Sequence, residues 1–393
     1  MPPRRLGPST QAVHGGEPRV RDGRSITAPV VLSSTYPFDD TAELSSYMEG
    51  RLERAPEYGR YGNPTVAAAE AKLAALEGGE AAVLLASGMA AITTTCFAML
   101  RQGAHAVFTA DVYRKTRAFA TDTLSRFGVE VDVVAPTASA IEAALRPTTK
   151  LLFTELPTNP YLRVVDLPAV VACARAHRVK TIVDATFATP VNLRPLALGA
   201  DLVIHSTTKY LAGHNDLLGG VVIGKRGIID AIREQLGTLG GIADPLSAFL
   251  LLRGVKTLAL RLARQNASAL ALAEALERHP KVRQVWYPLL ASHPDHAVAV
   301  RDLQGGGAVV SFEVHGGLAA GTALVDAVRI PKLAPSLGGV ESLIEQPALM
   351  SHYELAPEQR AAIGIREGLV RLSVGIEDLG DLHDDLLQAL DRV

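Results

Sequence analysis

The sequence predicts an α/β protein built on a mostly parallel central sheet, and three observations carry that prediction. Short apolar runs recur at 81–86, 106–109, 151–154, 181–183, 202–204 and 221–223, each separated from the next by a longer segment. Segments between them have helical character, 168–177 among them, and such alternation argues for a sheet covered by helices on both faces. At 393 residues the chain is too long for one compact core and suits two domains plus a short arm.

Taken in order, residues 1–60 are rich in Pro, Gly and Arg with little periodicity, and are expected to form an irregular arm against a neighbouring subunit. Asn63-Pro64 then opens a helix, with Asn63 as its cap, Pro64 at the first helical position and Gly78-Gly79 as its end. Stretch 81–100 contains no charge and invites a transmembrane reading. Ser87, Gly88 and Thr93 to Thr95 interrupt it, so strand–turn–helix is the better account. Residues 61–245 make up the expected large domain and 246–393 the smaller α/β C-terminal one. A long helical stretch after Asp244-Pro245 leads into it. There Val309–Val314 alternates as a half-buried strand, 369–374 does so more weakly, and 378–393 reads as a closing amphipathic helix.

Composition bounds the function. Hydrophobic residues at 48% and charged residues at 20% are ordinary for a globular enzyme. A net charge of −2 gives no long-range pull on nucleic acid or an anionic membrane, so an anionic ligand must be held by a local basic cluster. Cys96 and Cys173 are too few for a disulfide framework and read as reduced thiols, which points to the cytoplasm. No apolar stretch follows Arg4 and Arg5, so no secretory signal is expected.

The chemistry concentrates at Ser206-Thr-Thr-Lys209, which follows a buried strand. A lysine at a strand end is ordinarily a solvated loop residue. Burial would instead lower its pKa and free the amine as a nucleophile. Asp184 strengthens the second reading, because it also closes an apolar run and so belongs at the same carboxyl edge, where open α/β sheets bind ligands. Pyridoxal phosphate needs such a pair: an amine for its aldehyde and a carboxylate to keep its ring nitrogen protonated. Ser206 and Thr208 offer hydroxyls to its phosphate. Ser87-Gly88-Met89, where a strand turns into a helix, offers backbone N–H groups, although a plain tight turn would look the same. The competing reading is a metal site at His205, His214 and Asp216. It lacks a His pair at i, i+4 or a Cys–His set, and no metal is expected.

These segments in this order resemble the Cys/Met-metabolism family of pyridoxal-phosphate enzymes. The motifs are Tyr58-Gly-Arg60-Tyr-Gly-Asn63-Pro-Thr, Ser87-Gly-Met89, Pro157-Thr-Asn159-Pro, Asp184-Ala-Thr186, Ser206-Thr-Thr-Lys209, Ser336-Leu-Gly-Gly-Val-Glu-Ser and Val370-Arg371-Leu-Ser-Val-Gly. The resemblance runs from Ala12 to the C-terminal helix. It implies an aspartate-aminotransferase-like fold (fold type I) and a homotetramer made of two active dimers. It further implies that Lys209 carries pyridoxal 5'-phosphate as a Schiff base and that Asp184, with Thr186 beside it, serves the ring nitrogen. Ser87, Gly88, Met89, Ser206 and Thr208 would take the phosphate, Tyr58 and Arg60 would reach it from the neighbouring subunit, and Tyr113 would stack on the ring. Arg371 would clamp the substrate carboxylate with Ser336 and Asn159.

Family members share this cofactor site, so it does not choose the reaction. The run Tyr113-Arg114-Lys115-Thr116-Arg117, Pro335 before Ser336, Phe187-Ala-Thr-Pro190 and Glu345-Gln-Pro-Ala-Leu-Met350 resemble plant-type cystathionine γ-synthases. That branch uses O-phosphohomoserine, and Lys115 is the candidate partner for its phosphate. The reaction so implied is γ-replacement of an activated homoserine by cysteine, with Lys209 moving protons and Tyr113 assisting. A γ-lyase of cystathionine or methionine is the alternative, followed by an O-acylhomoserine sulfhydrylase.

Overall fold

The structure is a computed structural model that describes residues 6–21, 24–52 and 56–393; Arg4 and Arg5 lie outside them. Its strands are β1 (Ala81–Leu85), β2 (His105–Thr109), β3 (Glu130–Val134), β4 (Thr149–Glu155), β5 (Lys180–Asp184), β6 (Leu202–Ser206) and β7 (Gly220–Gly224) in the first sheet. A second sheet holds β8 (Val282–Trp286), β9 (Val309–Val314), β10 (Lys332–Leu333), β11 (Leu343–Glu345) and β12 (Leu369–Ser373). The seven strands lie in the order β1-β7-β6-β5-β4-β2-β3, with β3, β2, β4, β5 and β6 parallel to one another. Only β7 runs against both of its neighbours.

Successive residues of a strand face opposite sides of a sheet, and the apolar runs divide accordingly. Phe108, Leu151, Phe153, Ile182, Leu202 and Ile204 pack on one face with the helix Gly88–Met99. Their neighbours Val107, Leu152, Val183 and Val203 pack on the other with the helix Leu167–Ala176. Burial on both faces is why these strands read as unbroken apolar runs rather than alternating ones.

Two departures from the expectation have simple causes. The N-terminal 60 residues are not wholly irregular: α1 (Pro8–His14) and α2 (Thr41–Met48) form within them. Both are too short to show helical periodicity. Asp40 secures α2 by accepting the amides of Ala42 and Glu43, and the fully buried Lys72 secures α1 by donating to the carbonyls of Ala12 and Val13. β3, β8 and the short β10 and β11 escaped the pattern. β3 is a half-buried edge strand with charges at Glu130 and Asp132, and so lacks an apolar run.

The expected helix is α3 (Pro64–Glu77), with Asn63 accepting the amides of Thr65 and Val66, and Gly78 at φ 83° closing it. Stretch 81–100 is β1, a turn and then α4 (Gly88–Met99). Among the described residues no helix is long and apolar enough to cross a membrane. Helix Leu258–Glu277 packs against β8 and β9 of the second sheet. Its Arg261 donates to the carbonyls of Tyr210 and Gly254, and its Gln265 to those of Gly339 and Val374.

Candidate active site

The ends of β5 and β6 set the floor of the site. Asp184 is the last residue of β5, and its carboxylate accepts both the amide (3.0 Å) and the hydroxyl (2.5 Å) of Thr186. That hydroxyl accepts the amide of Ser206 at the end of β6, so Thr186 stitches the two strand ends together. Burial pushes the Asp184 carboxyl above its ordinary range against the pull of Thr186 and His205. An acid so placed is stabilised as an anion by a cationic partner.

Lys209 follows three residues after β6. Burial, with Arg371 as the next cause, lowers its ammonium to about 8, while Glu345 works in the opposite direction. Its Nζ donates to Ser336 Oγ at 2.5 Å. Ser336 has φ 89°, a left-handed conformation unusual for a residue with a side chain, and one that marks strained functional loops. Arg371, on β12, donates from Nη1 to Asn159 Oδ1 (3.1 Å) and from Nη2 to the Ser336 carbonyl (2.9 Å). Nη2 also lies 2.9 Å from Glu345 Oε1, and Arg371 is only 5% exposed. The fold therefore brings Lys209, Ser336, Asn159 and Arg371 together from four distant segments.

Beside this floor lies an anion cradle. Ser87 caps α4 by accepting the Ala90 amide, and the amides of Gly88 and Met89 precede the helix's first internally bonded donor, the Ala91 amide. A Cβ on Gly88 would lie 2.9 Å from that of Ser206, so these two predicted anion ligands are in contact and only glycine fits between them. Thr208 accepts the Gly219 amide in the same turn. Tyr113 is 45% exposed, and its amide donates to Glu155 at 2.7 Å, an accessible aromatic residue on an anchored backbone.

Three predicted residues stand apart. Arg60 donates to the Gly237 carbonyl and lies over the rings of Tyr61 and Tyr58, and among the described residues no hydrogen bond joins Tyr58 or Arg60 to Lys209. Lys115 is exposed on α5 (Arg114–Ala118). The carboxyl of Glu354 is held low by a hydrogen bond from Arg114, with Lys115 a lesser contributor. Of the residues weighed as metal ligands, His205 is held by Glu77 at 3.0 Å and His214 by the Ala212 carbonyl.

Two acids were not singled out as site residues from the sequence, although Glu345 opens one of the quoted motifs. Glu155 ends β4 opposite Asp184 in register and is pushed well up by burial and then by Asp184. Glu345 is the last residue of the buried β11. For Glu155 the signal was present, as it closes the apolar run 151–154 just as Asp184 closes 181–183; Glu345 follows only two apolar residues and leaves no such trace.

A softened amine, a buried acid in want of a cation and a helix N-terminus open to an anion match the aldehyde, ring nitrogen and phosphate of one cofactor. The class is that of pyridoxal-phosphate enzymes with the aspartate-aminotransferase-like fold. The model of the family described as Cys/Met metabolism PLP-dependent enzyme matches residues 9–391, and the chain belongs to that family. It is 48% identical over 389 residues to a chloroplastic cystathionine gamma-synthase 1 of Nicotiana tabacum, covering 97% of this chain and 71% of that protein. It is 42% identical over 387 residues to the L-methionine gamma-lyase of Pseudomonas putida, covering 98% and 97%. A crystal structure of cystathionine gamma synthase from Xanthomonas oryzae pv. oryzae, in complex with aminoacrylate and cysteine, superposes with a TM-score of 0.93 at 40% identity, covering 99% of this chain and 98% of that one.

Proposed function

We propose that this chain is a cystathionine γ-synthase that joins an activated homoserine, O-phosphohomoserine in the first instance, to the sulfur of L-cysteine. One observation carries the reading: the Lys209 amine and the Arg371 guanidinium meet on the same residue, Ser336. A carboxylate gripped by Arg371, Asn159 and Ser336 places the α-carbon of an amino acid beside a base. Lys209 is that base, and burial keeps it half-deprotonated near pH 8.

Lys209 and Asp184 would hold the cofactor's aldehyde and ring nitrogen, and Ser87, Gly88, Met89, Ser206 and Thr208 would hold its phosphate. When bound, pyridoxal phosphate supplies an electron sink for charge that develops at the substrate's carbon atoms. Thr186 keeps Asp184 oriented, Tyr113 would cover the cofactor ring and move a proton at the amine or thiol, and Lys115 would meet the substrate's γ-phosphate. Tyr58 and Arg60 complete the phosphate site of a neighbouring copy in a homotetramer of active dimers. On this reading residues 1–60 form an arm, 61–245 a cofactor domain and 246–393 a C-terminal domain, and the enzyme works in the cytoplasm.

A γ-lyase is the second reading, supported by the likeness to methionine γ-lyases. A panel of three activated homoserines with and without cysteine, plus cystathionine alone, separates the two by scoring cystathionine against 2-oxobutyrate. Lys115→Ala should raise KM for O-phosphohomoserine far more than for O-acetylhomoserine. One lost charge-assisted contact is worth roughly 1.5–3 kcal/mol, or on the order of tenfold to a hundredfold in kcat/KM. Equal effects on both donors, or a wild type that ignores O-phosphohomoserine, would refute the donor assignment.

A further inference from the structure

Glu345 and Arg371 are directly opposite in the antiparallel pairing of β11 with β12, so backbone register alone brings acid and guanidinium together. Both are buried, at 2% and 5% exposure. Placing two charges out of water costs more than it usually returns in stability, and an apolar pair would pack there as well. A role in the chemistry explains its presence better. The contact is one of charge rather than an aligned hydrogen bond: Oε1 lies 2.9 Å from Nη2 yet takes no N–H in line, and Arg371 Nε has no hydrogen-bond partner among the described residues. The guanidinium is thus neutralised from one side while retaining donor capacity for a second carboxylate.

We propose that Glu345 is a positioning residue that holds Arg371 in place and restrains its charge, so that a substrate carboxylate is gripped firmly enough to orient and loosely enough to leave. The inference rests on the reading of Arg371 as the α-carboxylate clamp. The charged and titratable groups around the pair are Lys209 from the turn after β6 and Tyr210 beside it. Two cations, Lys209 and Arg371, thus share one anion. Removing that anion leaves Arg371 with its full charge and makes a proton at the lysine nitrogen harder to keep.

The test uses the holoenzyme and propionate, an unreactive monocarboxylate, with affinity read by calorimetry. Glu345→Gln is expected to tighten propionate binding by about tenfold and to lower the pH midpoint of the cofactor's visible band by about one. Glu345→Asp, which only withdraws the carboxylate, should tighten binding by about threefold, and it keeps the question open if the glutamine variant does not fold. A purely structural pair would loosen the clamp, so weaker or unchanged propionate binding in the variant that folds overturns the proposal, as does an unmoved midpoint in Glu345→Gln. Arg371→Leu is the control for the reading beneath it. If that variant binds propionate as the wild type does, Arg371 is not the clamp, whatever Glu345 does.

Discussion

In the cofactor-free protein the amine of Lys209 should titrate near 8 rather than at its ordinary 10.5. Burial is the main cause and the Arg371 charge the second, with Glu345 opposing both. The sign follows from the charge: burial and a neighbouring cation disfavour an ammonium, so the proton leaves at lower pH. At neutral pH this raises the free-amine fraction by roughly three hundred-fold over an unperturbed lysine. Trace labelling with an amine-selective reagent across about pH 6 to 11, followed by quantifying the Lys209 peptide, measures the midpoint directly. Arg371→Leu should move that midpoint upward, because it deletes a cation and leaves Glu345 in place. A midpoint close to 10.5 in the wild type would mean that the amine is hydrated and that the buried-base account of this site is wrong.

Asp184→Asn should retain cofactor while turnover falls by orders of magnitude, since an amide hydrogen-bonds the ring nitrogen without holding it protonated; near-normal kcat would place the acid elsewhere. Mixing Arg60→Ala chains with Lys209→Ala chains should restore part of the activity that each lacks alone, because one hybrid site would be intact. No recovery despite proven subunit exchange would put Arg60 in its own chain's site.

The parts of the fold that sequence could reveal are those whose burial leaves a one-dimensional trace. β4, β5 and β6 are apolar on both faces and announce themselves, and the acid and lysine that close β5 and follow β6 stand out against them. β3 lacks that trace because its edge position lets charges alternate along it. The helices α1 and α2 owe their stability to contacts that leave no periodic trace: α1 is held by Lys72 and Arg194 from elsewhere in the chain and α2 by its Asp40 cap. Arg371, Asn159 and Ser336 entered only through family resemblance, since no spacing rule joins positions 159, 336 and 371. Glu345 needed the register of β11 on β12, which is a property of the folded sheet.

Helix Leu258–Glu277 contributes no group to the chemistry, yet it acts as a caliper across the site. Arg261 grips the carbonyl of Tyr210, the residue after the lysine, while one turn further on Gln265 grips Gly339 and Val374, each three residues from a clamp residue, Ser336 or Arg371. The gap between base and clamp is therefore gauged by the stiffness of one helical turn. Substitutions at these two positions would behave kinetically like substitutions at the reacting centre, because an error of an ångström there is an error in where the α-carbon meets its base.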